Sequence, residues 1–210
     1  MDPDFWHQRW RENRIGFHQA APNAMLQRHL GDLDLPASPR IFLPLCGKTR
    51  DIGWLMSQGC RVAGAELSRL AVDQLFADLG LDPEITEEGA LTRVSAANID
   101  IFVGDIFALT ADQLGPVDAS YDRAALVALP ADLRARYAAH MARITAGAPQ
   151  FLICFEYDQA LMSGPPFSVD ADEVARVYGA HYALTDHDAA DVAGGLKGIC
   201  PAIERVWLLR

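Results

Sequence analysis

Apolar residues along the chain fall into two alternating patterns. A short apolar run at 41–45 and strand-like stretches at 61–66, 91–94, 99–103, 117–122, 151–157, 182–185 and 203–209 are long enough for strands and too short for ordinary helices. Between them lie segments with helical spacing. Ile52, Leu55 and Met56 share one side of residues 49–58, which Gly59 closes. Leu70, Ala71, Leu75, Phe76 and Leu79 predict a core-facing stripe on a helix that Ser68 caps. Further helices are expected over 24–30, 132–144 and 170–179, and an aromatic-rich one near the N-terminus. Residues 82–90 are acidic and read as a solvated loop, Ala97-Asn98 as a turn, and 186–198 as a polar, glycine-rich connection. Strands alternating with helices predict an α/β fold built on a parallel sheet. No repeat or linker interrupts the pattern, so one domain is expected over residues 1–210, with an N-terminal arm over 1–35.

The most informative unit is the run at 41–45 with its turn, Leu45-Cys46-Gly47-Lys48, the following helix, and a second strand that ends in Glu66. Glu66 follows Gly47 by about 20 positions, the spacing at which a strand-terminal acid meets a ribose in nucleotide-binding βαβ units. A purely structural βαβ unit has the same outline. The turn lacks Gly-x-Gly-x-x-Gly, and Phe42 stands where a phosphate-binding loop ending in Gly47-Lys48-Thr49 needs glycine. These departures argue against a dinucleotide and against ATP or GTP. A ligand with a ribose and no pyrophosphate remains, and S-adenosylmethionine is the common case.

Composition narrows the partners. A formal net charge of −10 disfavours nucleic acid and anionic membrane as partners. No apolar run reaches the roughly 18 residues of a membrane span, and the acidic start does not resemble a secretory signal. The four cysteines form no Cys-x-x-Cys and read as free thiols in a reducing cytoplasm. The six histidines show no metal-ligand spacing with cysteine or acid, so no metal is expected. A monomer acting on a small molecule is the expectation.

Several residues stand out as candidates. Trp10 and Phe17 flank polar positions and suit an arm over a ligand, whereas Phe5 and Trp6 suit packing. His18 is either a base or a structural hydrogen-bonding group. Asp105 either meets an adenine amine or caps a short helix near Thr110. Arg123, at a strand end, either binds an anion or pairs with Asp122 or another neighbour. Gly164-Pro165-Pro166-Phe167 forms a rigid loop suited to a lid.

Trp6-His7-Gln8-Arg9-Trp10, Gly16-Phe17-His18-Gln19, Leu43-Pro44-Leu45-Cys46-Gly47-Lys48, Asp122-Arg123-Ala124-Ala125-Leu126 and the Gly164–Phe167 loop occur together and in order. Through them nearly the whole chain resembles the bacterial thiopurine S-methyltransferases, which are class I S-adenosylmethionine-dependent enzymes. The resemblance implies a Rossmann-like, seven-stranded, mostly parallel sheet with helices on both faces and an antiparallel C-terminal strand. It implies cofactor contacts at Trp10, Leu45, Glu66 and Arg123, with Asp105 and Ile106 bordering the adenine. Phe17, Pro166 and Phe167 match acceptor regions. The stretch 192–198 is thin in the aromatic and basic residues that the family carries there. Methyl transfer from a sulfonium needs alignment more than acid–base chemistry, so a dedicated base is dispensable; Asp158 and His18 are the candidates for one. The rivals are the same fold methylating selenium or tellurium oxyanions, an NAD-dependent oxidoreductase, and a non-catalytic cofactor-binding module.

Overall fold

The computed structural model describes residues 3–210, and within them the apolar runs join one nine-stranded sheet. The strands are β1 (Arg40–Leu43), β2 (Arg61–Glu66), β3 (Glu84–Glu88), β4 (Leu91–Ala96), β5 (Ile99–Val103), β6 (Ala119–Arg123), β7 (Gln150–Glu156), β8 (Leu184–Asp191) and β9 (Ile203–Leu209). The helices are α1 (Pro3–Arg11), α2 (Ala24–His29), α3 (Arg50–Ser57), α4 (Arg69–Leu79), α5 (Ala111–Leu114), α6 (Ala131–Ile144) and α7 (Ala171–Tyr178). Of the arm expected over 1–35, residues 1–2 lie outside the described residues.

The strand order is β3-β4-β5-β2-β1-β6-β7-β9-β8. β5, β2, β1, β6 and β7 are mutually parallel, and β9 runs antiparallel beside β7. Their middles are mostly apolar because both faces are covered, while polar residues such as Glu66, Asp122 and Arg123 sit toward the strand ends. Ile41 and Leu43 point into the core beneath α2, α3 and α4, while Phe42 points into the opposite core, under α6 and α7. From β1 the chain builds the sheet outward through β2 and β5 on one side and through β6 and β7 on the other, so the order reverses between β1 and β6 and a crevice opens beyond those strand ends. Among the described residues, no helix is long and apolar enough to cross a membrane.

The expected seven strands are the stretch from β5 to β8; an antiparallel hairpin, β3–β4, extends the sheet to nine. Residues 82–90 were expected as loop, yet Glu84–Glu88 pairs in register with β4. Four of its five residues are exposed, so main-chain pairing holds it without any apolar alternation. Its acidic side chains suit a sheet edge, where charge discourages pairing with other chains. β8 likewise runs past residue 185 to Asp191 as a polar edge strand. On α4 the buried stripe is Ala71, Val72, Leu75 and Phe76; Leu70 is 39% exposed. Ser68 caps α4 as expected, with its hydroxyl accepting from the Ala71 N–H.

Asp122, on β6, fixes the turn that follows the strand. It is fully buried, accepts the Tyr137 hydroxyl at 2.7 Å and the Leu126 N–H at 3.1 Å, and holds the backbone around Ala124, whose φ is 65°. Burial outweighs these hydrogen bonds and pushes its pKa up from 3.8 to about 6. Between those two values the native state holds a proton that the unfolded chain has released, so this group lowers stability as pH rises through that window. Asp122→Asn should remove the dependence. In denaturant titrations the wild type should lose stability relative to the variant between pH about 4 and about 6, with a constant difference above that range. A difference independent of pH would contradict the assignment.

Candidate active site

The crevice at the strand ends is a cavity of about 710 Å³, within the range of small-molecule sites. Its base is the turn after β1. Pro44 cannot continue the ladder as a donor, and the chain turns through Leu45 (φ 46°) and Gly47 (φ 54°). A Cβ on Gly47 would lie 3.0 Å from the Trp10 indole, so glycine allows both the turn and the close approach of α1. The Gly47 N–H donates to Glu66 Oε2 at 2.8 Å, and the Ser68 N–H donates to Oε1 at 2.8 Å. Glu66 thus ties the first turn to the start of α4 and keeps spare lone pairs facing the cavity. Burial raises its pKa, against the backbone N–H groups that favour the anion.

Three segments roof the cavity. Trp6, Trp10 and Phe17 form an edge-to-face aromatic wall, with Phe17 5.8 Å from Trp6 and 5.6 Å from Trp10 between ring centroids. His18 follows on the same wall; burial, then Lys48 and Arg50, hold its pKa below the ordinary value, so the ring is neutral at neutral pH. Opposite stand Pro165 and Pro166, joined to the 192–197 segment where Lys197 Nζ donates to the Pro165 carbonyl at 2.7 Å.

Arg123 forms the floor. Its Nε is buried and has no hydrogen-bond partner, and among the described residues it makes no ion pair. The expected alternative of pairing with Asp122 is not adopted, because that carboxylate faces Tyr137 and Leu126. Glu204 of β9 lies nearby on the wall; burial raises its pKa and Arg123 opposes the rise. Five cationic side chains line the cavity (Arg9, Arg14, Lys48, Arg123, Lys197) against three carboxylates (Glu66, Asp191, Glu204). The lining thus carries an excess of cationic side chains within an acidic chain, although Arg14 pairs with Glu12 and Lys48 with Asp78 just outside it.

Trp10, Leu45, Glu66, Arg123, Phe17 and Pro166 all line this cavity. Four other candidates are not part of the lining. Asp105 is exposed and accepts the Phe107 N–H at 3.0 Å, so it caps the 3-10 turn Ile106–Ala108. Ile106 is buried in the core. Phe167 packs against Gly164 and under the Arg134 guanidinium, 5.6 Å from its ring centroid. Asp158 is a correction to its place as candidate base: it is exposed and caps the turn Gln159–Leu161 by accepting the Ala160 N–H at 3.0 Å. Of the two base candidates, only His18 faces the cavity.

Sequence reading missed Trp6, Glu204, Lys197 and Phe155, all of which line the cavity. Trp6 reads from sequence as a packing residue, yet it lies one helical turn before Trp10 and shares its face. Glu204 sits more than 130 residues after Glu66 on the last strand, and only the sheet order brings it across. The 192–198 stretch, thin in aromatic and basic residues, lines the cavity with Val192, Ala193, Leu196 and Lys197.

A doubly wound sheet, a strand-terminal acid and a non-phosphate first turn define a Rossmann-like methyltransferase fold, and solved structures agree. The fold matches the 1,6-didemethyltoxoflavin-N1-methyltransferase of Burkholderia thailandensis with a TM-score of 0.66 at 16% identity, over 99% of this chain and 86% of that one. It matches a TehB-like SAM-dependent methyltransferase of Corynebacterium glutamicum with a TM-score of 0.57 at 16% identity, over 99% and 98%. Residues 1–208 match the thiopurine S-methyltransferase (TPMT) family. The chain is 60% identical to the thiopurine S-methyltransferase of Xanthobacter autotrophicus over 100% of its own length and 99% of that protein. It is 50% identical to that of Gluconobacter oxydans, covering 97% and 92%. The chain belongs to the thiopurine S-methyltransferase family.

Cys46 lies in the turn but is 8% exposed, and burial followed by the Glu66 charge pushes its thiol well above the ordinary range. It is a packing group and not a nucleophile. All four cysteines are free and buried. A thiol reagent at neutral pH should leave Cys46 unmodified in the folded chain and react with all four cysteines after denaturation, as read by peptide mass spectrometry. Rapid modification of Cys46 in the folded protein would overturn this.

Proposed function

We propose that this chain binds S-adenosylmethionine in the cavity and methylates the sulfur of a small aromatic thiol, the thiopurine class named for its relatives. The observation that carries the reading is the buried, unpartnered Arg123 Nε on the floor of a cationic cavity. A buried guanidinium donor without an acceptor costs about 1–3 kcal/mol, and a ligand carboxylate or thiolate offsets that cost.

The residues fit this cofactor. Glu66 has lone pairs for the ribose diol, Arg123 suits the amino-acid carboxylate or an acceptor anion, and Leu45 to Gly47 present main chain. The faces of Trp10 and Phe17 suit a sulfonium. When bound, S-adenosylmethionine supplies an electrophilic methyl group on a positively charged sulfur. The chain's own part is to orient and to exclude water. Alignment of nucleophile and methyl carbon is worth up to roughly 7–11 kcal/mol, and the arm, the proline loop and the 192–197 segment shut out solvent that would stabilise the separated charges. Heterocyclic thiols are acidic enough to need no strong base; neutral His18 is placed to take a proton from those that are not.

The cationic lining equally favours oxyanions of selenium or tellurium as acceptors. A nicotinamide dinucleotide is disfavoured by the absence of Gly-x-Gly-x-x-Gly after β1. We assign the chain to the cytoplasm, where four unpaired thiols stay reduced, as a monomer acting on small molecules.

Calorimetry should show S-adenosylmethionine and its demethylated product binding, and NAD not binding. Arg123→Ala should weaken cofactor affinity by ~10- to 100-fold, the worth of a charge-assisted hydrogen bond at about 1.5–3 kcal/mol. Asp158→Asn should leave turnover of a thiol panel unchanged. Wild-type affinity and transfer kinetics in Arg123→Ala would remove Arg123 from the site.

A further inference from the structure

Beside the edge strand β8, and outside the cavity lining, three side chains distant in sequence converge on one point. His29 ends α2, Asp32 lies in the 3-10 turn Leu30–Leu33, and His187 projects from β8. His29 Nδ1 lies 2.9 Å from Asp32 Oδ2, His187 Nε2 lies 2.8 Å from the same oxygen, and the two ring nitrogens are 3.2 Å apart. The rings meet nearly perpendicular, at 82°, so neither blocks the other's nitrogen. We propose that His29, Asp32 and His187 form a binding site for a zinc-class dication, which fastens the edge strand β8 to the turn after α2.

Four observations carry this. The first is geometric. Bonds of ~2.0–2.1 Å to a tetrahedral ion place donor atoms ~3.3 Å apart, so this triangle needs to open by only a few tenths of an ångström. The second is the donor set: two imidazoles and one carboxylate, with side chains 15%, 24% and 45% exposed, leave a solvent-facing position for water. The third is the support of His29. Its other nitrogen, Nε2, lies 2.8 Å from Asp188 Oδ2, and Arg28 holds that carboxylate at 3.1 Å. A carboxylate on the distal nitrogen fixes the tautomer of a metal-binding imidazole and raises its basicity. The fourth is backbone. The β8–β9 register passes from Asp186 opposite Trp207 to Asp188 opposite Val206, which leaves His187 as the extra residue of a bulge. Bulges re-aim a side chain, and this one turns His187 toward α2.

No motif in the sequence announces the site, because 158 residues separate His29 from His187. Arg28 and Arg210 stand at the rim, but Arg28 is engaged by Asp188, and Arg210 by the Asp32 carbonyl and Asp34. β8 ends at Asp191 in the cavity wall, so the ion would brace the strand that carries part of the site.

The test is zinc titration of the chelator-treated full chain by calorimetry, with cobalt absorption as a report on the ligands. One equivalent should bind and raise the melting temperature. His187→Gln and His29→Gln should each abolish that equivalent, and Asp188→Asn should weaken it by ~10- to 100-fold. Using two ligand variants keeps the result readable if one fails to fold. Failure to bind one equivalent of zinc, or binding that survives in both histidine variants, would overturn the proposal and leave the cluster a hydrogen-bonded clasp.

Discussion

The carboxylate of Glu66 holds the site together before any ligand arrives. It is 6% exposed and sits where β2, the turn after β1 and the start of α4 meet. A buried carboxylate is tolerated only when hydrogen-bonded, and here the N–H groups of Gly47 and Ser68 meet that requirement. The start of a helix also favours negative charge. The turn can reach Glu66 only because Gly47 adopts a positive φ, and Trp10 can lie on the turn only because Gly47 has no side chain. One anion and one glycine therefore fix the base of the cavity and the seat of the arm above it.

The floor works in the opposite sense. Glu66 is satisfied within the chain, whereas Arg123 is held in place with a donor unspent. Its backbone is set by Asp122, which the core around Tyr137 buries and keeps pointed away from the guanidinium. The carboxylate nearest in sequence is thereby withheld, and the positive charge stays available to a ligand. Asn23 does similar work on the neighbouring wall, donating its N–H to Asp51 at 2.7 Å and its side-chain amide to Glu204 at 3.1 Å. Hydrogen bonds thus hold Asp122 away from the guanidinium and occupy part of Glu204, which itself lines the cavity.

How much of this the sequence disclosed follows from what each residue's neighbours demand. β1, β2 and β7 were legible because burial on both faces favours largely apolar stretches, and β5 and β6 because short strand-like stretches sit between helical segments. Glu84–Glu88 was illegible because nothing but main-chain pairing selects it as strand. Glu66 and Arg123 were visible as polar residues ending apolar strands. Asp158 carried the same signature after β7, yet its carboxylate turns back on Ala160, and local capping competes with a site role in a way that spacing cannot resolve. Asp105 shows the same competition. Glu204 and His187 were invisible for another reason: each gains its meaning from a partner more than 100 residues away, across strands whose order only tertiary structure reveals.

The arm illustrates how these constraints divide labour. From Asn23 onward the chain is fastened by buried hydrogen bonds to Asp51 and Glu204, while before it α1 rests chiefly on aromatic and glycine contacts at the cavity mouth. Polar networks in a low-dielectric interior tolerate little displacement, but edge-to-face rings slide at small cost, since each such pair is worth only about 0.5–1.5 kcal/mol beyond its burial. The boundary between the two kinds of contact falls between Phe17 and Asn23, beside His18 and Gln19 on the cavity wall. A ligand filling the space beneath Trp10 meets both sides of that boundary, with Trp6, Trp10 and Phe17 on one and Leu45, Val127 and Pro166 on the other. The roof is thus built from aromatic packing, whereas the floor, where Glu66 and Arg123 face a ligand, is set by buried hydrogen bonds to Gly47, Ser68, Tyr137 and Leu126.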